Sequence, residues 1–107
     1  MLKNLIETIK NHHHINTQDE LAALLARDSA LMQQVKTADA KHWVNFTKQT
    51  FDGWYCVSTP LLTTFHVYYQ ERGKNIWGED VFSNQSEAVA AVIFMSGLWD
   101  SEFNPTS

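Results

Sequence analysis

Glycine and proline are missing from the first 52 residues; the four glycines begin at Gly53 and the two prolines at Pro60. A chain with so little punctuation in its first half is expected to be helical there. Cysteine is nearly missing too. Cys56 stands alone, which excludes an internal disulfide framework and fits a reducing compartment, so a cytoplasmic location is expected. No apolar run approaches the roughly 20 residues needed to span a bilayer, and no membrane partner is expected. The opening MLKNLIETIKNHHH has no long apolar region and no small-residue cleavage site, so a secretory leader is not expected either. After Lys74 there is no basic residue and no histidine, while Glu79, Asp80, Glu87, Asp100 and Glu102 all follow it. Phosphates would be repelled there, which argues against a nucleic-acid partner.

What is present suits a single soluble domain over residues 1–107, with 44% hydrophobic and 19% charged residues. Leu2, Leu5, Ile6 and Ile9 recur at helical spacing and predict an amphipathic helix over 2–11, ended by Asn11 and the three histidines. Thr17 and Glu20 form a capping-box pattern directly before Leu21, Ala22, Leu24 and Leu25, so a second helix starts there. Asp28 or Ser29 can cap a continuation carrying Leu31, Met32 and Val35. Residues 18–36 therefore read as one bent helix or two.

Residues 37–52 carry two patterns. Trp43 and Phe46 fit a helical face, and alternation from His42 to Phe46 fits a strand; the helix to about Thr50 is preferred. Asp52-Gly53 marks a turn. From Trp54 the chain becomes β-branched and aromatic. WYCVST reads as a strand ended by Pro60. FHVYYQE reads as a second, with Phe65, Val67 and Tyr69 on one face and His66, Tyr68 and Gln70 on the other. A turn over Arg72-Gly73-Lys74-Asn75 leads into a third strand, NIWGEDVF, interrupted at Gly78. An antiparallel meander over about 54–82 is the simplest topology. Ser83 or Asn84 then caps an apolar helix to about residue 98, whose Ala88, Ala91, Val92, Met95 and Trp99 should pack across the sheet. The fold class expected is α+β: N-terminal helices, a small antiparallel meander, and a C-terminal helix packed on the sheet.

Catalytic and metal chemistry find little here. His12, His13 and His14 are contiguous, so their side chains diverge on a helix or a strand; no metal site and no cofactor is expected. Cys56 and His66 are the one tempting nucleophile–base pair. A two-residue turn at Pro60-Leu61 sets Cys56 opposite Phe65, whereas a three-residue loop through Leu62 sets it opposite His66. No glycine elbow accompanies Ser58 or Thr59, and no phosphate loop is present. A binder is therefore favoured over an enzyme. The alternatives are a small regulatory or ligand-binding domain with an aromatic pocket between sheet and helix, or a Cys/His-dependent enzyme.

The run FHVYYQERGKNIWGEDVFSNQSEA resembles the strand–ERG–strand–helix segment of small immunity proteins from bacterial polymorphic-toxin and contact-dependent growth inhibition systems. Val67, Tyr68, Tyr69, Glu71, Arg72, Gly73, Phe82, Ser83, Glu87 and Ala88 carry the likeness, over about a third of the chain. The resemblance implies a cytoplasmic antidote that binds one cognate toxin domain, often a nuclease, without cofactor or turnover. Glu71, Arg72 and Gly73 are expected to shape the hairpin end, not to touch the toxin. A nuclease holds phosphates in a basic cleft, so the acidic C-terminal third is the expected binding surface. Trp77 would serve as apolar anchor, Glu79 and Asp80 as its charged neighbours, with Asp100 and Glu102 added from beyond the last helix.

Overall fold

The computed structural model describes residues 1–61, 63–72, 74–75 and 79–103. Helix α1 spans Leu2–His13, α2 Gln18–Arg27, α3 Ser29–Thr37 and α4 Gln85–Met95. The strands are β1 Val44–Asn45, β2 Gly53–Ser58, β3 Phe65–Glu71, β4 Lys74–Asn75 and β5 Asp80–Phe82. The architecture is α+β, and α4 packs on the sheet. None of the described helices is long and apolar enough to cross a membrane.

Local chemistry sets the helix boundaries. The Thr17 hydroxyl accepts from Glu20 N at 3.1 Å while the Glu20 carboxylate accepts from Thr17 N at 3.0 Å, which closes the capping box. Asp28 leaves helical geometry at φ −131° and its carboxylate accepts from Leu31 N at 3.0 Å, so 18–36 is two helices broken at a cap. Helix α1 runs two residues past the expected end, through His12 and His13. It stops where His14 turns left-handed at φ 52°.

The preferred helix over 37–50 is not formed. Lys41 and His42 both take left-handed backbone, at φ 51° and 68°, in a turn closed by Trp43 N donating to Ala40 O at 3.0 Å. A right-handed helix cannot pass through two such residues. Beyond the turn, Val44 and Asn45 pair in parallel with Trp54 and Tyr55, so a short strand precedes the meander. The sheet is therefore mixed, in the order β1-β2-β3-β4, with β5 also on β3. Since β4 and β5 share that one edge of β3, they are two pieces of one interrupted strand. Gly73 and Gly78, expected at the turn and at the interruption, lie outside the described residues.

Strand alternation makes two chemically distinct faces. Trp54, Cys56, Phe65 and Val67 join the core with α4, on which Ala88 to Ile93 have no exposed surface. Leu21, Leu24 and Leu25 of α2 and Leu2, Ile6 and Ile9 of α1 complete the same cluster. Burying each of these large side chains contributes about 1.5–3 kcal/mol before entropy is subtracted. The other face carries Tyr55, Val57, His66, Tyr68, Gln70 and Val81. Segment 46–52 crosses part of it. Tyr55 donates its hydroxyl to Phe51 O at 2.7 Å, and the Gln70 amide donates to Gln49 O and Phe51 O at 3.1 and 3.2 Å.

Candidate functional site: the acidic sheet edge

The open part of that outer face lies along β3 and β5. The register Val57↔His66↔Val81 places His66 between two valines, and Val81 is 55% exposed. Glu79, just before β5, reaches back so that its Oε1 lies 3.2 Å from His66 Nδ1. Thr64 Oγ1 is 3.1 Å from His66 Nε2 on the other side. The imidazole is thus held from both nitrogens. With Nδ1 protonated toward the carboxylate, Nε2 accepts from the Thr64 hydroxyl.

Hydroxyl, imidazole and carboxylate in a line have the order of an acyl-transfer relay. The backbone donors of the adjoining loop at Thr63 and Thr64 are already engaged. Both point at Thr59 Oγ1, at 3.3 and 3.4 Å, so they do not form an oxyanion hole. Those bonds instead brace the 59–64 loop, whose ends meet through Thr59 N and Thr64 O at 3.0 Å. The arrangement fixes the position of Glu79 on the surface.

Neither expected register of Cys56 occurs. A four-residue loop over 60–63 sets Cys56 opposite Val67, with His66 paired to Val57 on the other face. Cys56 is buried, and that burial pushes its thiol up to about 12 despite the opposing charge of Lys36. A thiol so placed is a small core residue.

The remaining sequence-predicted residues separate into two groups. Asp80 is exposed on β5 opposite Val67, next to Glu79. Asp100 and Glu102 are exposed in the turn after α4, which is docked on α1: the Lys3 ammonium donates to Leu98 O at 2.8 Å and to Asp100 O. Asp100 Oδ1 accepts from Glu102 N at 3.0 Å. Glu79 is tied to β3 and Asp100 to α1, so the two acidic pairs have different anchors. Trp77 lies outside the described residues. Arg72 takes the positive φ of the β3–β4 hairpin, 52°, and its N–H donates to Asp52 Oδ1 at 2.8 Å, while Glu71 pairs with Lys74. His12, His13 and His14 are exposed, and among the described residues no three His, Cys, Asp or Glu side chains form a metal-binding group.

Sequence reasoning singled out His66 as a base for Cys56 and missed its contacts with Glu79 and Thr64. Its face was visible from the alternation of β3, but its partner Glu79 comes from beyond an interrupted strand. Comparison with protein-family models, with curated proteins and with solved structures yields no match, so the likeness to immunity proteins rests on the residues of the central segment alone.

Proposed function

We propose that this chain is a cytoplasmic immunity protein that neutralises one cognate bacterial toxin domain, a nuclease by preference, by covering its active site or substrate surface. One observation carries the reading: Glu79, just before the edge strand β5, stands exposed on the face of the exposed Val81, with the exposed Asp80 on the strand's other side, in a third of the chain that has no cation. Carboxylates near apolar surface on a sheet edge suit a basic protein cleft, where opposite charge speeds encounter and apolar contact holds the complex. Asp100 and Glu102 would contribute as a second acidic group, and Trp77 as an apolar anchor. The competing readings draw less support. Trp43 packs on Tyr69 and Phe103, and Trp54 on Tyr69, so these rings are engaged with one another, and Cys56 and His66 occupy opposite faces.

The test is recovery of the complex from the native host, followed by association kinetics. A single basic toxic domain is expected, its activity abolished at one-to-one stoichiometry. Glu79→Lys with Asp80→Lys should slow its association at least tenfold at low salt, and the effect should shrink as salt screens the charges. Recovery of several unrelated partners, none toxic, would instead indicate a regulator.

A further inference from the structure

The opposite edge of the sheet carries a second surface of different character. Between the end of α3 and segment 44–51 lies an open groove of about 370 Å³, lined among others by Lys36, Asp39, His42, Thr47, Gln49 and Phe51. The His42 imidazole stacks on the Phe51 ring with centroids 4.0 Å apart and planes 30° from parallel. Both residues are exposed, Phe51 by 41%, so flat aromatic surface faces water.

The charge here runs against the rest of the molecule. Segment 36–52 holds Lys36, Lys41 and Lys48 with His42, against Asp39 and Asp52, in a chain of net charge −4. Both acids are engaged by backbone donors: Asp39 Oδ1 accepts from Lys41 N and Asp52 Oδ1 from Arg72 N, each at 2.8 Å. The lysine ammonium groups have no such engagement within the segment. At the rim, the Gln49 amide donates to Thr47 Oγ1 at 3.1 Å, which places an amide and a hydroxyl where a polar ligand edge would lie.

Backbone strain singles out the same place. Lys41 and His42 are the only consecutive described residues other than glycine with left-handed φ. Each such residue costs on the order of 1 kcal/mol where glycine would cost little. The fold needs the turn, because it delivers Trp43 to Ser96 and Val44 to β2. An exposed lysine and an exposed imidazole at strained positions beside a groove mark a site where side-chain identity outweighs backbone ease.

We infer that this groove binds a nucleotide unit, with the base stacked on the His42–Phe51 pair and the phosphate held by Lys36, the lysine that lines it. The ligand is both flat and anionic, which excludes a neutral sugar and an acidic peptide as the better fit. The site lies at the β1 edge, across the sheet from Glu79, and does not depend on the toxin-binding reading.

The experiment is a backbone-amide NMR titration of the whole chain with AMP, ribose 5-phosphate and inorganic phosphate. AMP is expected to perturb residues 42–51 saturably in the millimolar range, and about tenfold more tightly than ribose 5-phosphate, the size of one base–aromatic stack. His42→Gly separates function from folding: it should raise the melting temperature by relieving the left-handed residue, yet weaken AMP about tenfold through loss of the stack. Phe51→Ala should weaken AMP similarly. A short single-stranded oligoadenylate distinguishes sources, since tighter binding than AMP indicates a strand end and equal binding a free nucleotide; either upholds the site. AMP binding no tighter than ribose 5-phosphate, or unchanged in both variants, overturns it.

Discussion

A Cβ added at Gly53 would lie 2.6 Å from the carbonyl oxygen of His42 and 3.1 Å from that of Trp43, on a backbone with φ of 149°. Both atoms are main chain and cannot swing aside, because Trp43 O accepts from Trp54 N at 2.8 Å to start the parallel pairing. Gly53→Ala is therefore expected to lose about 3 kcal/mol of stability in chemical denaturation, through backbone clash and strained φ together. Gly97→Ala should lose less, since its Cβ would meet the Phe103 ring, at 3.3 Å, and a ring can shift. Cys56 supplies the second test at this scale. Burial pushes its thiol up from its ordinary value to about 12, so the folded state holds the proton that the unfolded chain releases first. The stability this contributes is complete below about pH 9 and is lost as pH rises toward 12. Burial likewise raises the hydroxyls of Tyr55, Tyr68 and Tyr69, which steepens the same alkaline loss. Cys56→Ala should flatten the slope of stability against pH in that window. Native protein should also react with a thiol reagent only at the rate at which it unfolds; prompt modification at neutral pH would contradict the buried thiol.

Elements were legible in proportion to how local their signals are. Thr17 with Glu20, and Asn84, whose side chain accepts from Ser86 N at 2.8 Å and Glu87 N at 3.3 Å, announce their helices within four residues. The β2–β3 faces followed from alternation. The parallel β1 did not, because Val44 finds Trp54 only after the chain has passed through a left-handed turn and seven intervening residues of irregular backbone. The end of α4 was equally hidden. It has no basic residue in its last turn, yet a helix C-terminus favours cations. The cations come from α1 instead. The Lys3 ammonium reaches Leu98 O and Asp100 O, and Lys10 reaches Trp99 O and, at 3.2 Å, Ser101 Oγ. Glu7 Oε1 lies between them, 3.8 Å from Lys3 Nζ and 3.7 Å from Lys10 Nζ. Burial lowers the Lys3 pKa, opposed by Glu7 and aided by Lys10. Replacing Lys3 and Lys10 together by Met keeps the aliphatic stems and removes the charges. That double variant should lose about 2 kcal/mol and show faster amide exchange over 96–101 than over β3. Equal exchange in both segments would mean that the lysines only decorate the surface.

For the whole molecule, the acidic edge was legible as composition and the groove was not. The absence of cations after Lys74 can be read directly, whereas the stacking of His42 on Phe51 requires knowing that 37–50 is not a helix. What joins the layers is a set of aromatic contacts at the ends of elements. Trp43 donates its indole N–H to Ser96 O at 2.8 Å and packs on Tyr69 and Phe103, so it ties the β1 edge to the exit of α4. Trp99 stacks on Phe94 at 4.6 Å and lies under the Lys10 ammonium, 4.9 Å away, tying that same exit to α1. Trp54 sits inside the sheet against Tyr69 at 5.5 Å. The three indoles thus report from three separate joints, and one exit segment links two of them. The radius of gyration, 13.0 Å, is the value expected of a compact chain of about 100 residues. Unfolding should be a single cooperative transition. A Trp77→Phe background leaves only these three tryptophans to report. In it, fluorescence and far-ultraviolet circular dichroism should give coincident denaturant midpoints. Adding Lys10→Met should lower both midpoints together, because weakening the α1 joint weakens the segment that also anchors Trp43. Fluorescence that falls first, with helix content retained, would mean that the exit segment frays independently and that the sheet and helices are joined only through the core.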